Sequence, residues 1–236
     1  MSFSNNINNT TGTLGVSRGG TNLTATPTNG QIPIGNGTDY TLSTLGAGGG
    51  NISVTNASGS ITLNTQQRLL YRTMANNDAS ITFNNLSYEN PFRIYFITFR
   101  AVVPATDGAT LRMECSNDNG ATWFNTDYKS GINYSDYDTA TMTNSNSTTN
   151  CVFTPPLDNG ISTSGGNGYF YWFTRQANEP FFFGQISCFN NTTNDVAFGT
   201  CGGKCGHTGV NAFKFFMSSG NITTGEFSIY GIQNDL

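Results

Sequence analysis

The sequence predicts an all-β protein rich in turns, and three features of its composition carry that prediction. Among 236 residues only 10 are Lys or Arg and 14 are Asp or Glu, against the roughly 25% charged residues of an ordinary globular domain. Their place is taken by 31 Asn, 34 Thr, 20 Ser and 28 Gly. These are middling to poor helix formers, and charged partners spaced four apart are nearly absent, so neither a coiled coil nor a helical bundle fits. Finally, 18 Phe, 10 Tyr and 2 Trp bring more apolar surface than a disordered chain carries.

Residues 1–66 form the first segment. It holds no Cys, Trp or Glu, one aromatic after Phe3 (Tyr40) and one basic residue, Arg18. Alone it buries too little apolar area to offset a backbone ordering cost of about 1–2 kcal/mol per residue. Its pattern is nevertheless regular. Gln31 to Gly37 and Tyr40 to Leu45 place apolar residues two or three apart. Asn51 to Thr55 and Ser60 to Asn64 alternate with period two around the hairpin sequence Asn56-Ala57-Ser58-Gly59. Short strands with one apolar face need cover from another chain. A threefold intertwined fibre supplies it, with Ile32, Ile34, Leu42, Leu45, Ile52, Val54, Ile61 and Leu63 toward the shared axis. The other reading is a flexible linker ahead of a monomeric domain.

Residues 67–236 hold all 5 Cys, both Trp and nearly all the aromatics, enough for one single-core domain. Strands are predicted at 67–74, 79–84, 93–103, 109–115, 121–129, 137–142, 150–154, 168–175, 180–189, 195–200, 211–218 and 224–232. Turn sequences such as Asn76-Asn77-Asp78, Asp118-Asn119-Gly120 and Ser219-Gly220-Asn221 separate them. About ten such strands without helical periodicity predict a two-sheet β-sandwich of jelly-roll type. Gly168 to Phe173 and Pro180 to Phe183 are aromatic on both faces, as strands between two sheets, or between a sheet and a neighbouring subunit, would be.

The net charge of −4 and the scattered basic residues leave no phosphate-tracking stripe, which excludes a nucleic-acid reader. The first residues lack the basic start and apolar core of a secretory signal, and Arg93 and Arg100 interrupt the most apolar later stretch, so no membrane insertion is expected. Five cysteines, Cys115, Cys151, Cys188, Cys201 and Cys205, are too few for a disulfide framework. The expected product is soluble, made in the cytoplasm, with thiols that can oxidise after release.

The strings Leu14 to Asn22, Asn29 to Thr38 and Leu45 to Val54 resemble, in that order, the repeats of bacteriophage tail-fibre and related virion fibre proteins. The stretches Phe99 to Gly108 and Ser116 to Trp123 resemble the β-sandwich head domain found behind such repeats. The resemblance implies a homotrimer on the virion, at the tail or the capsid surface. Residues 1–66 would attach to other virion proteins and intertwine, and residues 67–236 would form a head facing the host.

Several groups invite a chemical reading. Ser116-Asn117-Asp118-Asn119-Gly120-Ala121-Thr122-Trp123 resembles the Asp-box hairpin of sialidases. Its mechanics are structural: Asp118 accepts from turn amides, Gly120 takes a positive φ and Trp123 packs over the hairpin. Sugar hydrolysis needs two carboxylates facing each other at ~5–10 Å, and Asp136 with Asp138 is the one close pair, predicted to share a strand face or to form a solvated turn. His207 is the sole His and no nucleophile-elbow sequence surrounds it, so no catalytic triad is assembled. Cys201, Cys205 and His207 have the residue types of a zinc site but not a finger spacing; a surface loop with free or locally paired cysteines is the main expectation, and neither a metal nor a cofactor is assigned. Tyr128, Tyr134, Asp136, Tyr137 and Asp138, in a region read as tip loops, combine flat rings with small polar groups, the chemistry of a saccharide-binding surface. The sequence thus predicts a non-enzymatic trimeric adhesin recognising a host glycan or protein. The alternative is a structural virion protein such as a head fibre, decoration or tail-adaptor component.

Overall fold

The computed structural model describes residues 20–46, 52–65, 67–86, 92–138, 143–160, 165–174 and 179–233. The first part of the repeat-like sequence (14–19), residues 47–51 and most of the strand predicted at 137–142 lie outside them. The chain divides into two compact units, Met1–Gln66 and Gln67–Leu236. Every strand pairing among the described residues is antiparallel, and none of these residues is helical.

The first unit contains two hairpins, β1 (Gln31–Gly35) with β2 (Tyr40–Thr44), and β3 (Ile52–Ala57) with β4 (Ser60–Thr65). The first turns on Asn36, whose Oδ1 accepts from the amides of Thr38 and Asp39 at 3.0 and 2.7 Å, an Asx turn that fixes the reversal locally. The second turns through Ser58 and Gly59, with Gly59 at φ 71°. None of the described residues of this unit is buried. Ile52 and Leu63 are 47% and 57% exposed, so two-stranded ribbons that are marginal in isolation keep an apolar face in water.

The second unit faces an eight-stranded sheet with a four-stranded one. The larger has the order β10-β9-β14-β13-β12-β7-β16-β5, from β5 (Gln67–Asp78), β7 (Phe92–Pro104), β9 (Tyr128–Asp136), β10 (Thr143–Ser147), β12 (Gly166–Phe173), β13 (Phe181–Asn190), β14 (Asp195–Cys205) and β16 (Ile222–Gln233). The smaller has the order β11-β8-β15-β6, from β6 (Ile81–Phe83), β8 (Leu111–Ser116), β11 (Cys151–Val152) and β15 (Ala212–Met217). Aromatic rings span the gap: Trp172 meets Phe213 at 4.8 Å, and Phe227 meets Phe215 at 5.2 Å. Phe153, just past β11, stacks on Phe170 at 4.5 Å and also touches Phe99, Phe182 and Phe215. The core therefore lies between the sheets, with one face of every strand turned into it.

One stretch departs from the predicted strands. Residues 121–127 form a loop rather than a strand, because Phe124 N–H bonds back to Cys115 C=O at 2.9 Å and closes the chain on β8. The strand starts at Tyr128 and forms a hairpin with β10, so the region read as tip loops is built into the large sheet. The alternation explains this: Tyr128, Ser130, Ile132, Tyr134 and Asp136 are buried while Lys129 and Asn133 are exposed, the period of a half-buried strand.

Phe153 is fully buried and joins four other rings, so Phe153→Ala should lower the unfolding free energy of the full chain by about 3–5 kcal/mol. Urea titration followed by tyrosine and tryptophan fluorescence should show the midpoint falling with the slope unchanged.

Candidate functional site

The Ser116 to Trp123 segment forms a self-contained turn. Asp118 Oδ1 accepts from Ser116 Oγ at 2.6 Å and from the Thr122 amide at 2.9 Å, and its Oδ2 accepts from Thr122 Oγ1 at 2.6 Å. Ser116 Oγ in turn accepts from the Gly120 amide at 2.9 Å. Asn119 and Gly120 take φ of 61° and 87°, and the Trp123 ring lies 3.2 Å from where a Cβ on Gly120 would stand. Donation by Ser116, then by Thr122, holds the Asp118 carboxyl down at about 2, from an ordinary value of 3.8. The lone pairs so engaged point into the turn, so these contacts of Asp118 are structural. Lys214 passes over the Trp123 ring at 5.1 Å while pairing with Glu114 at 2.5 Å, pinning the turn to the small sheet.

The receptor-contact candidates separate into two groups. Tyr128, Tyr134 and Asp136 are buried, at 1%, 8% and 5% exposure, because they occupy the inward positions of β9. The Tyr128 hydroxyl accepts from Cys115 N–H at 2.8 Å and donates to Phe124 C=O at 3.2 Å; burial pushes it above its usual titration range. Asp136 accepts from Asn190 Nδ2 at 2.9 Å. These three are core residues, which corrects the surface reading for them. Tyr137 is 78% exposed, and Asp138, also exposed, donates its amide to Asp195 Oδ2 at 3.2 Å; Asp136 closes β9 pointing inward while Asp138 lies in the following turn. The two carboxylates therefore do not share a face.

The cysteines are likewise internal. All five are buried and free, and Cys201 and Cys205 belong to β14 rather than to a surface loop. Cys115 of the small sheet lies in hydrogen-bonding contact with Cys151 and with Cys205 of the large one. Burial raises Cys115 and Cys151, and donation to Cys115 together with burial raises Cys205; burial alone pushes Cys201 up to about 12, and burial with the nearby Asp136 pushes Cys188 up to about 12. His207 stacks on Phe124 at 3.7 Å and its Nε2 faces Thr126 C=O at 3.2 Å. Its imidazole is thus held by Phe124 and Thr126, and the described residues gather no set of side chains arranged to hold a metal ion.

The site that sequence reasoning did not find is on the outward face of the large sheet. Strand register aligns Asn146, Gly131, Gly202, Phe183 and Tyr171 in one row, and Asn144, Asn133, Thr200, Gln185 and Tyr169 in the next. Gly131 and Gly202 have no side chains, so the sheet sinks there into a groove of about 510 Å³. Tyr169, Tyr171 and Phe183 form one wall, while Asn146 on the edge strand β10 stands opposite. Tyr169 O–H donates to Gln185 Oε1 at 2.7 Å, which leaves the Gln185 amide N–H groups free to face the groove. No charged side chain lines it. The two glycines were the only signal in the sequence, and they come from strands 71 positions apart.

Beside the groove lies a continuous apolar block. Phe181, Phe173, Ile94 and Ile232 follow one another across β13, β12, β7 and β16 on the outward face, and Tyr171, Phe96, Tyr230 and Leu69 do so in the next row across β12, β7, β16 and β5. Phe181 and Phe183 are 49% and 58% exposed. Farther along, Glu226 on β16 accepts from Arg72 at 2.8 Å and Arg100 at 2.7 Å, and Lys204, in register with Phe181 on the same face, forms an ion pair with Glu179.

No protein family, curated protein or solved structure matches this chain.

Two outcomes follow. With its folded value near 2 and its unfolded value near 3.8, Asp118 contributes stability that is present above about pH 4 and lost as pH falls toward 2. The thermal midpoint of Asp118→Asn should therefore lie below wild type at pH 7 and change less than wild type between pH 4 and pH 2. Because all five thiols are buried and held protonated, a water-soluble thiol reagent at pH 8 should label none of them in the native protein and all five after denaturation in guanidinium.

Proposed function

We propose that the protein is a trimeric virion fibre of a bacteriophage, with residues 1–66 as its virion-attachment and intertwined shaft and residues 67–236 as a jelly-roll-like head that meets the host surface. One observation carries this reading: taken by itself, each unit leaves apolar side chains exposed among its described residues. In the first unit none of the described residues is buried. In the second, the aromatic block of the large sheet lies on the face opposite the core. Contiguous exposed apolar surface of this kind marks association, and aromatic residues are enriched where proteins meet. The resemblance of residues 13–64 to fibre repeats supplies the threefold symmetry and the virion setting.

Host contact fits the same architecture. An uncharged surface of hydroxyls and amides keeps recognition insensitive to salt, and three linked copies convert weak contacts into useful avidity. The reading requires no chemistry at the carboxylates, which are exposed, turned into their own turn or buried against Asn190.

Sedimentation of the full-length protein at micromolar concentration should give a trimer, and Phe181→Asp combined with Phe96→Asp should shift it toward monomer. The trimer, added to host cells before phage, should reduce phage adsorption. A stable trimer that neither binds cells nor blocks adsorption would favour a structural virion component instead, and a stable monomer would remove the fibre reading altogether.

A further inference from the structure

We propose that the glycine-floored groove across β10, β9, β14, β13 and β12 is a binding site for a neutral oligosaccharide. This deepens the adhesin reading and rests on it, since it names what the head would recognise and where. Three properties of the groove point to that ligand class. Its volume of about 510 Å³ lies within the roughly 300–1,000 Å³ of small-ligand sites. One wall is aromatic, from Tyr169, Tyr171 and Phe183, which suits the flat C–H face of a pyranose. The opposite side and the end present uncharged amides and a hydroxyl, from Asn133, Asn146 and Thr200.

The polar groups are available. Among the described residues the side chains of Asn133, Asn146 and Thr200 have no hydrogen-bond partner, and Gln185 has only its Oε1 engaged, by Tyr169. A sugar hydroxyl both donates and accepts, and a side-chain amide does the same, so each can pair without a charge. An acidic saccharide or a phosphate would instead call for Arg or Lys at the contact, and none lines the groove. A peptide strand is also a poorer match, because the groove crosses the interior of the sheet, where the backbone groups of β9, β14, β13 and β12 are already paired on both sides. The wall is pre-formed as well: Phe183 stacks on Phe173 at 5.6 Å and tilts against Tyr171 at 5.8 Å, so little ordering remains to be done on binding.

The two floor glycines differ in a way that gives a clean test. A side chain at Gly131 would run into Asn146, whereas a Cβ at Gly202 would meet only Phe182 O at 3.4 Å and Phe183 atoms at 3.9 Å. Gly202 is also not in the left-handed region. Gly202→Trp therefore fills the trough from an unstrained position. Asn133→Ala, at an exposed residue in the neighbouring row, removes one polar contact without filling anything.

The experiment probes the full-length protein, wild type and both variants, on an array of neutral and of uronate- or sialate-bearing oligosaccharides, with binding to host cells and sedimentation measured in parallel. The expected result is wild-type binding to neutral members, at least a tenfold loss of that signal and of cell binding in Gly202→Trp, and a loss of about threefold or more in Asn133→Ala, all with the oligomeric state unchanged. Wild-type binding to cells that Gly202→Trp leaves intact would overturn the groove assignment while leaving the adhesin reading standing. Selective binding of acidic sugars would overturn the ligand class. Dissociation of the oligomer by Gly202→Trp would show the groove to be a contact between copies of the chain, and wild type that binds neither cells nor array would end both readings.

Discussion

The structure is governed by a mismatch of width. A sheet of eight strands faces a sheet of four, yet its central strands carry large aromatic residues on both faces. The inward set, Phe170, Trp172, Phe182 and Phe227, is covered by Phe153, Phe213 and Phe215. Burying such side chains supplies about 1.5–3 kcal/mol each, and that row holds the two sheets together. The outward set has no second sheet. Strand period dictates that the same sequence run that fills the core also paints the opposite face, so the apolar block and the groove wall are direct consequences of using Tyr-Phe-Tyr-Trp-Phe and Phe-Phe-Phe as central strands.

The same constraint explains the placement of glycine. Where β9, β14 and β13 run side by side, Gly203 at φ 154° comes directly against the Lys129 and Ser130 backbone, and a Cβ there would collide with it. Gly202, next to it, faces outward, where a Cβ would meet only ordinary van der Waals neighbours. One glycine of the pair serves close strand approach and the other leaves the trough. Loss of side chains is destabilising in a strand interior, and here that cost coincides with the feature that makes the outward face concave. The β10 hairpin then adds the far side by placing Asn146 opposite the aromatic wall.

Much of this was legible in the amino-acid sequence wherever one short segment contained all the information. The Ser-x-Asp-x-Gly-x-Thr-Trp turn could be read because its donors, acceptor and positive-φ glycine lie within eight consecutive residues. The second hairpin of the first unit was visible as period-two runs around Asn56-Ala57-Ser58-Gly59, while in the first only the spacing of the apolar residues was. Reading failed where polarity and position pulled apart. Tyr128, Tyr134 and Asp136 sit among Asn, Ser and Lys and so look like loop residues, yet they alternate inward along β9, where backbone groups engage the Tyr128 hydroxyl and Asn190 donates to Asp136. Cys201-Gly202-Gly203-Lys204-Cys205 looked like a loop because glycines usually punctuate one; here they serve a strand. The groove could not be read at all, since its residues are brought together only by the register of five strands.

Low charge links these features to the mode of recognition. A protein with few ionic side chains has no long-range field to steer a ligand, and a shallow neutral site gains little from any single hydrogen bond, about 0.5–1.5 kcal/mol net. On the fibre reading, specificity comes from matching a flat ring to an aromatic wall and a row of hydroxyls to a row of amides, and strength comes from repetition. That places the apolar block and the groove in one scheme. On that reading the block, covered by a sister chain, would fix the copies at a constant spacing, and constant spacing is what lets several weak grooves engage one multivalent surface at the same time. Were the copies held only through the first unit, whose described hairpins bury nothing, the grooves would wander relative to one another and most of that gain would be lost to the entropy of aligning them.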